Sequence, residues 1–260
     1  MREIDQTKFQ QMLNKVPEVT LAFWAVKIMS TTVGETCADY LAVNVGWGSA
    51  ITGSVMAALF IISLIIQLSS RRYFPSLYWL TVVLVSIVGT QITDLLTDKL
   101  GTSLYLSTAV FSFTLAAIFA VWYKLEQTLS VHTIVTRRRE LFYWGAILCT
   151  FALGTAAGDL ATEALGWGFK NGALIFGSAI LLIAIAYRFR LNSILAFWIT
   201  YILTRPLGAS LGDLLSQSPE NGGVGLGTVK TSIVFLSLII VIVGFLSVKQ
   251  NRTLKLAAIN

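Results

Sequence analysis

One three-residue pattern occurs four times in the chain, and it limits the folds that the chain can adopt. In each copy nine residues separate a Trp from a Gly, and four more separate that Gly from an Asp. Such a regular recurrence indicates successive duplications of one structural unit. The four copies are Trp24/Gly34/Asp39, Trp79/Gly89/Asp94, Trp144/Gly154/Asp159 and Trp198/Gly208/Asp213.

Each copy falls in a region with two apolar segments of membrane-spanning length. A helix needs roughly 20 apolar residues to cross a bilayer core of about 30 Å. Because 55% of the residues are hydrophobic and the mean hydropathy is +0.75, a soluble domain is excluded. Eight segments qualify, at approximately 19–41, 49–68, 76–97, 102–123, 141–163, 171–187, 193–215 and 229–247.

These segments predict an all-α integral membrane protein that forms a single transmembrane domain over 1–260. Two crossings per copy return the chain to the same side, so the four repeats should be parallel, related by an axis along the membrane normal. We place the repeats at 18–70, 73–125, 140–190 and 192–248. The first helix of each repeat, which carries Trp, Gly and Asp, is called its motif helix. We expect motif helices 1, 3, 5 and 7 inside, and the nearly uncharged helices 2, 4, 6 and 8 outside.

The basic residues predict the orientation, because Lys and Arg accumulate on the cytoplasmic side of a membrane. Fourteen of them fall in the segments on one side, and three, Lys99, Lys170 and Lys230, on the other. Both termini should therefore be cytoplasmic. The net charge of +6 reflects these inner loops, so we expect the lipid bilayer as a partner and no nucleic acid.

The four Trp-Gly-Asp sets resemble a family of bacterial membrane proteins with four tandem two-transmembrane repeats of unknown function. The resemblance covers nearly the whole chain. It implies the eight-span fold and a multi-pass location in the bacterial inner (plasma) membrane, and it brings no established activity.

Polar side chains recur at every fourth position of each motif helix, where they share one face. Such groups need partners within hydrocarbon, so we predict that the four polar faces meet around a polar interior. Arg205 should pair with an acid of another motif helix. The candidate binding residues are Lys27, Thr31, Glu35, Asp39, Thr90, Asp94, Asp98, Asp159, Glu163, Arg205 and Asp213.

The composition of this interior favours a positively charged solute. Five acids lie within the spans against two bases, Lys27 and Arg205. We therefore predict a gradient-driven transporter or exporter of a hard cation or a small cationic or polar solute, with proton exchange as a coupling reaction and without a cofactor. Carboxylates suit hard metal ions. The possible metal ligands are Glu35, Asp39, Asp94, Asp159 and Asp213.

Alternatives remain at this stage. The polar faces could be structural networks of a non-transporting scaffold or of a subunit in a larger complex. An enzyme is disfavoured: AAGD at 156–159 and SLGD at 210–213 resemble the GxGD of intramembrane aspartyl proteases but lack its first Gly. The motif glycines suggest close helix packing, or else a helix break. The motif tryptophans suggest packing or interfacial anchors more than solute stacking.

Overall fold

Eight long helices make up the fold of the computed structural model, which describes residues 14–70 and 72–257. They alternate between motif helices, α1, α3, α5 and α7, and second helices, α2, α4, α6 and α8. No β-strand occurs in the described part of the chain, which confirms the all-α prediction. The helices are α1 (Leu21–Asp39), α2 (Gly48–Ser69), α3 (Pro75–Asp94), α4 (Leu104–Glu126), α5 (Arg137–Asp159), α6 (Gly168–Arg188), α7 (Ser193–Ser216) and α8 (Thr228–Ala257).

Local sequence signals explain where the motif helices begin. The hydroxyl of Thr20 accepts a hydrogen bond from the Phe23 backbone N–H at the start of α1, and Thr136 caps α5 in the same way. Asn192 caps α7, and Pro75 occupies the first turn of α3, where its missing N–H has no cost.

The ends of the motif helices follow the motif Asp in three of the four repeats. Immediately after it, the backbone forms a five-residue π-helical turn, whereas α7 continues as an α-helix to Ser216. All four motif helices run without interruption through their motif Gly, so the structure shows no break there. The π-helical turns are Tyr40–Asn44, Leu95–Lys99 and Leu160–Ala164.

Seven of the described long helices, all except α1, are long and apolar enough to cross a membrane. The exception carries Lys27, Glu35 and consecutive hydroxyl side chains at 30–32, which lower its hydropathy. These side chains are buried by the surrounding helices. The protein is therefore a multi-pass membrane protein, in which α1, predicted from the sequence as the span 19–41, is less apolar than the other seven long helices.

The motif helices pack in chain order into a closed ring, since α1 and α5 each pack against both α3 and α7. The second helices surround this ring. Each packs on the motif helix of the following repeat: α2 on α3, α4 on α5, α6 on α7, and α8 back on α1. In the most apolar segment of α5, 72% of the residues are buried, against 6% in α6. The core of the protein thus lies among the motif helices.

A buried polar network lies where the motif helices begin. Lys15 pairs with Glu140 at 2.6 Å, and the Gln67 side-chain amide donates to the same carboxylate at 3.3 Å. The Asn14 amide donates to the Val131 carbonyl. The sequence analysis counted Lys15 only as a loop charge, but the structure buries it against an acid of α5.

Candidate functional site

An aromatic layer fills the beginning of the motif-helix ring. The residue before each motif Trp is a buried Phe or Tyr, namely Phe23, Tyr78, Tyr143 and Phe197. Each contacts the motif Trp of a neighbouring motif helix. The ring-centroid distances are 5.5 Å for Phe23–Trp79, 5.6 Å for Tyr78–Trp144, 6.3 Å for Tyr143–Trp198 and 5.6 Å for Phe197–Trp24.

This aromatic layer closes one end of the interior. The hydroxyls of Tyr78 and Tyr143 hydrogen-bond to each other, and three of the four tryptophans are buried, while Trp24 is half-buried. The motif tryptophans therefore contact aromatic side chains of the fold itself. Sequence reasoning missed the aromatic partner before each Trp, although a Phe or Tyr stands there in all four copies.

The motif glycines set the register between neighbouring motif helices. A Cβ atom on Gly34 would overlap Ser86, and one on Gly208 would overlap Thr31. In every case the opposing residue lies three positions before the motif Gly of its own helix, so the same contact recurs around the ring. The four contacts are Gly34–Ser86, Gly89–Phe151, Gly154–Arg205 and Gly208–Thr31.

Polar side chains of three repeats, two of them charged, meet in the middle of the ring. The Nη2 atom of Arg205 donates to Glu35 Oε2 at 2.5 Å and also to the hydroxyl of Thr90. Both Arg205 and Glu35 are buried. The pairing that the sequence predicted for Arg205 is therefore present, and it joins α7 to α1. The Thr31 hydroxyl strengthens the same contact by donating to the Thr204 carbonyl at 3.3 Å.

Lys27 lies one turn closer to the aromatic layer and is 1% exposed. Its Nζ atom sits over two aromatic rings, 4.0 Å from the centroid of Phe151 and 4.3 Å from that of Tyr201. These cation–π contacts replace part of the hydration that burial removes. Lys27 therefore occupies an aromatic pocket formed by α5 and α7.

The motif aspartates form a second layer at the other end of the ring, where all four are partly exposed. Asp159 interacts electrostatically with Asp94, Glu35 and Glu163, while Asp213 interacts with Asp39, Asp159 and Glu35. Asp94 also accepts a hydrogen bond from the Gln91 amide at 3.0 Å. The side chain of Asp98 lies outside the described part of the structure.

The carboxylates do not form an assembled metal centre. Among the residues that the structure describes, no three His, Cys, Asp or Glu side chains are arranged to hold a metal ion. Of the five predicted metal ligands, Glu35 pairs with Arg205, and Asp213 interacts electrostatically with Asp39, Asp159 and Glu35.

Together these features define a multi-pass α-helical membrane protein built from four copies of a two-helix repeat. A sequence model described as Repeat of Unknown Function (DUF347) matches residues 22–73, 77–128, 142–191 and 196–251, and the chain belongs to this family. The resemblance to a four-repeat family of unknown function is thus confirmed. Comparisons with curated proteins and with solved structures gave no match.

Proposed function

We propose that this protein is a secondary transporter of a small solute that carries a positive charge. One observation supports this function above the others: the motif-helix ring encloses charged groups between a partly exposed layer of aspartates and an aromatic layer that is buried except for the half-buried Trp24. Ionisable side chains inside a membrane bundle commonly mark a solute or proton pathway.

The charge balance of the interior favours a cation. Glu35 and the four motif aspartates outnumber the two bases of the interior, Lys27 and Arg205, and Arg205 pairs with Glu35. Carboxylates within electrostatic range of one another bind and release protons as a coupled set. Entry of a cation among them would then release protons, which couples solute movement to a proton gradient.

Transport also requires an orientation and a closed state. In our proposal the aspartate layer faces the outside of the bacterial inner membrane, and the aromatic layer closes the cytoplasmic side, as the positive-inside rule favours. The buried Lys15–Glu140 pair lies at that same closed end. Release to the cytoplasm would require the aromatic layer and this network to open.

Flux measurements in proteoliposomes test the proposal. The purified protein is reconstituted, and uptake of a panel of organic and divalent cations is measured with and without an imposed pH gradient. We expect saturable flux of at least one cation, reduced at least tenfold in D94N and in D159N. E220Q, which changes an exposed carboxylate in the turn after α7, is the matched control and should keep full flux.

Two results would count against transport. One is the absence of flux for every cation tested, which would favour the scaffold or subunit alternative. The other is flux that D94N and D159N leave unchanged, which would remove the motif aspartates from the pathway.

A further inference from the structure

The middle of the motif-helix ring holds several buried hydrogen-bond donors that lack an acceptor among the described side chains and backbone. Lys27 Nζ, Arg205 Nε and Arg205 Nη1 are all buried and without a hydrogen-bond partner, and so is the hydroxyl of Tyr201. Folded proteins satisfy the great majority of their buried polar groups, so such a concentration of unsatisfied donors calls for an explanation.

These donors lie close together. Lys27 Nζ is 4.3 Å from the centroid of the Tyr201 ring, and Lys27 and Arg205 interact electrostatically. Tyr201 and Arg205 are one turn apart on α7 and therefore share a face of that helix. Lys27 and Arg205 thus lie within electrostatic range of each other between α1 and α7, and the Tyr201 ring lies against Lys27.

The arrangement is costly unless a ligand completes it. Glu35 compensates one positive charge through Arg205, and no acid pairs with Lys27 in the described residues. A buried charge without an ionic partner is strongly unfavourable, and two aromatic faces offset only part of that penalty. Groups that a fold keeps at such a cost commonly serve function.

We infer that Lys27, Arg205 and Tyr201 form a binding site for a carboxylate group of the solute. This inference rests on the proposed transport function and narrows its substrate class. The solute would be a cationic amino acid, in which the side-chain ammonium group lies several bonds from the carboxylate. Its carboxylate would contact Lys27 and Arg205, and its ammonium group would lie toward the aspartate layer.

The spacing of the helix supports a solute of this kind. Lys27 and Asp39 are twelve residues apart on α1, which is about 18 Å along the helix axis. The long side chains of Lys27 and Arg205 shorten this gap, as Arg205 already reaches the Glu35 carboxylate one turn away. An extended diamino acid such as free lysine can place its carboxylate on the Lys27 side of Glu35 and its side-chain ammonium group on the side of the aspartate layer.

Matched pairs of probes test the inference. Free lysine and cadaverine differ only in the carboxylate, as do ornithine and putrescine. Uptake into proteoliposomes and thermal stabilisation of the purified protein are measured for both pairs with wild type, K27M and K27R. We expect wild type to prefer the amino acids at least tenfold, K27M to lose that preference, and K27R to keep most of it.

The melting temperature of the protein without ligand separates a binding role of Lys27 from a structural one. Because K27M removes an uncompensated buried charge, we expect its melting temperature in detergent to equal or exceed that of wild type. A lower melting temperature together with an unchanged preference for lysine would assign Lys27 a structural role and overturn the inference.

The remaining outcomes distinguish the two proposals. Equal transport of lysine and cadaverine by wild type would overturn the carboxylate site and leave cation transport standing. If neither member of either pair binds or moves while another cation is transported, the substrate class is wrong and the transport function is retained. If no solute moves at all, both proposals fail.

Discussion

At the scale of single residues, the pair of Arg205 and Glu35 is the contact with the largest consequence for stability. Both side chains are buried, and the pair joins the neighbouring motif helices α7 and α1. Removing one partner of a buried ion pair leaves the other charge without compensation, which typically costs 3–5 kcal/mol, whereas replacing both partners together is often far less costly.

We therefore expect R205M to lower the stability of the purified protein by about 3 kcal/mol or more. The double variant E35Q/R205M should recover a substantial part of this loss, because the uncompensated carboxylate is gone. Thermal or denaturant unfolding in detergent measures both effects. Simple additivity of the E35Q and R205M losses would contradict the assignment of a coupled pair.

The same two residues show what sequence reasoning can predict about a site. A base in an apolar span must pair with an acid, so an acidic partner for Arg205 was predictable from the residue types in the motif helices. The aromatic partners of Lys27 were not predictable, because Phe151 and Tyr201 approach it from two other helices. Contacts of that kind depend on how the helices rotate and cross, and a single sequence contains little information on either.

At the scale of helices, the motif glycines determine how closely the motif helices approach one another. A Cβ on Gly89 would overlap the Phe151 side chain and lie 3.1 Å from the Ala152 backbone nitrogen, neither of which can move freely. A Cβ on Gly145, within α5, would meet nothing within 4 Å. The two glycines thus provide a matched comparison between a packed and an open position.

We expect G89A to destabilise the protein by about 1–3 kcal/mol through overpacking. G145A should be neutral or slightly stabilising, because Ala favours the helix over Gly by up to about 1 kcal/mol. Melting temperatures of the two variants in the same detergent provide the measurement. Equal effects would show that the α3–α5 contact at Gly89 is looser than described.

The helices themselves were largely predictable, whereas their pairing was not. The apolar segments and the Trp-Gly-Asp spacing place all eight helices, and the four polar faces imply a ring of motif helices. No comparable sequence pattern predicts that each second helix packs on the motif helix of the following repeat. The exposed faces of α2 and α8 are mostly apolar, and lipid and protein neighbours place similar demands on such faces.

At the scale of the whole molecule, the outer layer of second helices is completed by the contact of α8 with α1. Thr36 and Ser232 share a hydrogen bond of 2.7 Å across this contact, and the Cys37 thiol lies 3.6 Å from the Ser232 hydroxyl. The last helix of the chain thereby completes the packing of the first motif helix. This closure can be detected chemically, because one of the two positions is already a cysteine.

We expect S232C, in a background with C149A, to form an intramolecular disulfide with Cys37 when a membrane-permeant oxidant is added. Peptide mass spectrometry after digestion without reductant detects the linked fragments. The control C37S/S232C, in the same C149A background, retains one thiol and should form no internal link. If S232C remained fully reduced under conditions that oxidise exposed thiols, α8 would not pack on α1 as described.

The contacts that recur around the ring also bear on how such a protein could arise. Each repeat offers one surface to its predecessor and a different surface to its successor, which is the head-to-tail relation found in cyclic oligomers. A single two-helix chain could therefore have assembled as a homotetramer, but every charge in its interior would then occur four times. Fusion of the four units removes that restriction. Lys27, Glu35 and Arg205 each occur in one repeat only at their level of the ring. Four identical chains could not carry such a difference, whereas four covalently joined repeats can.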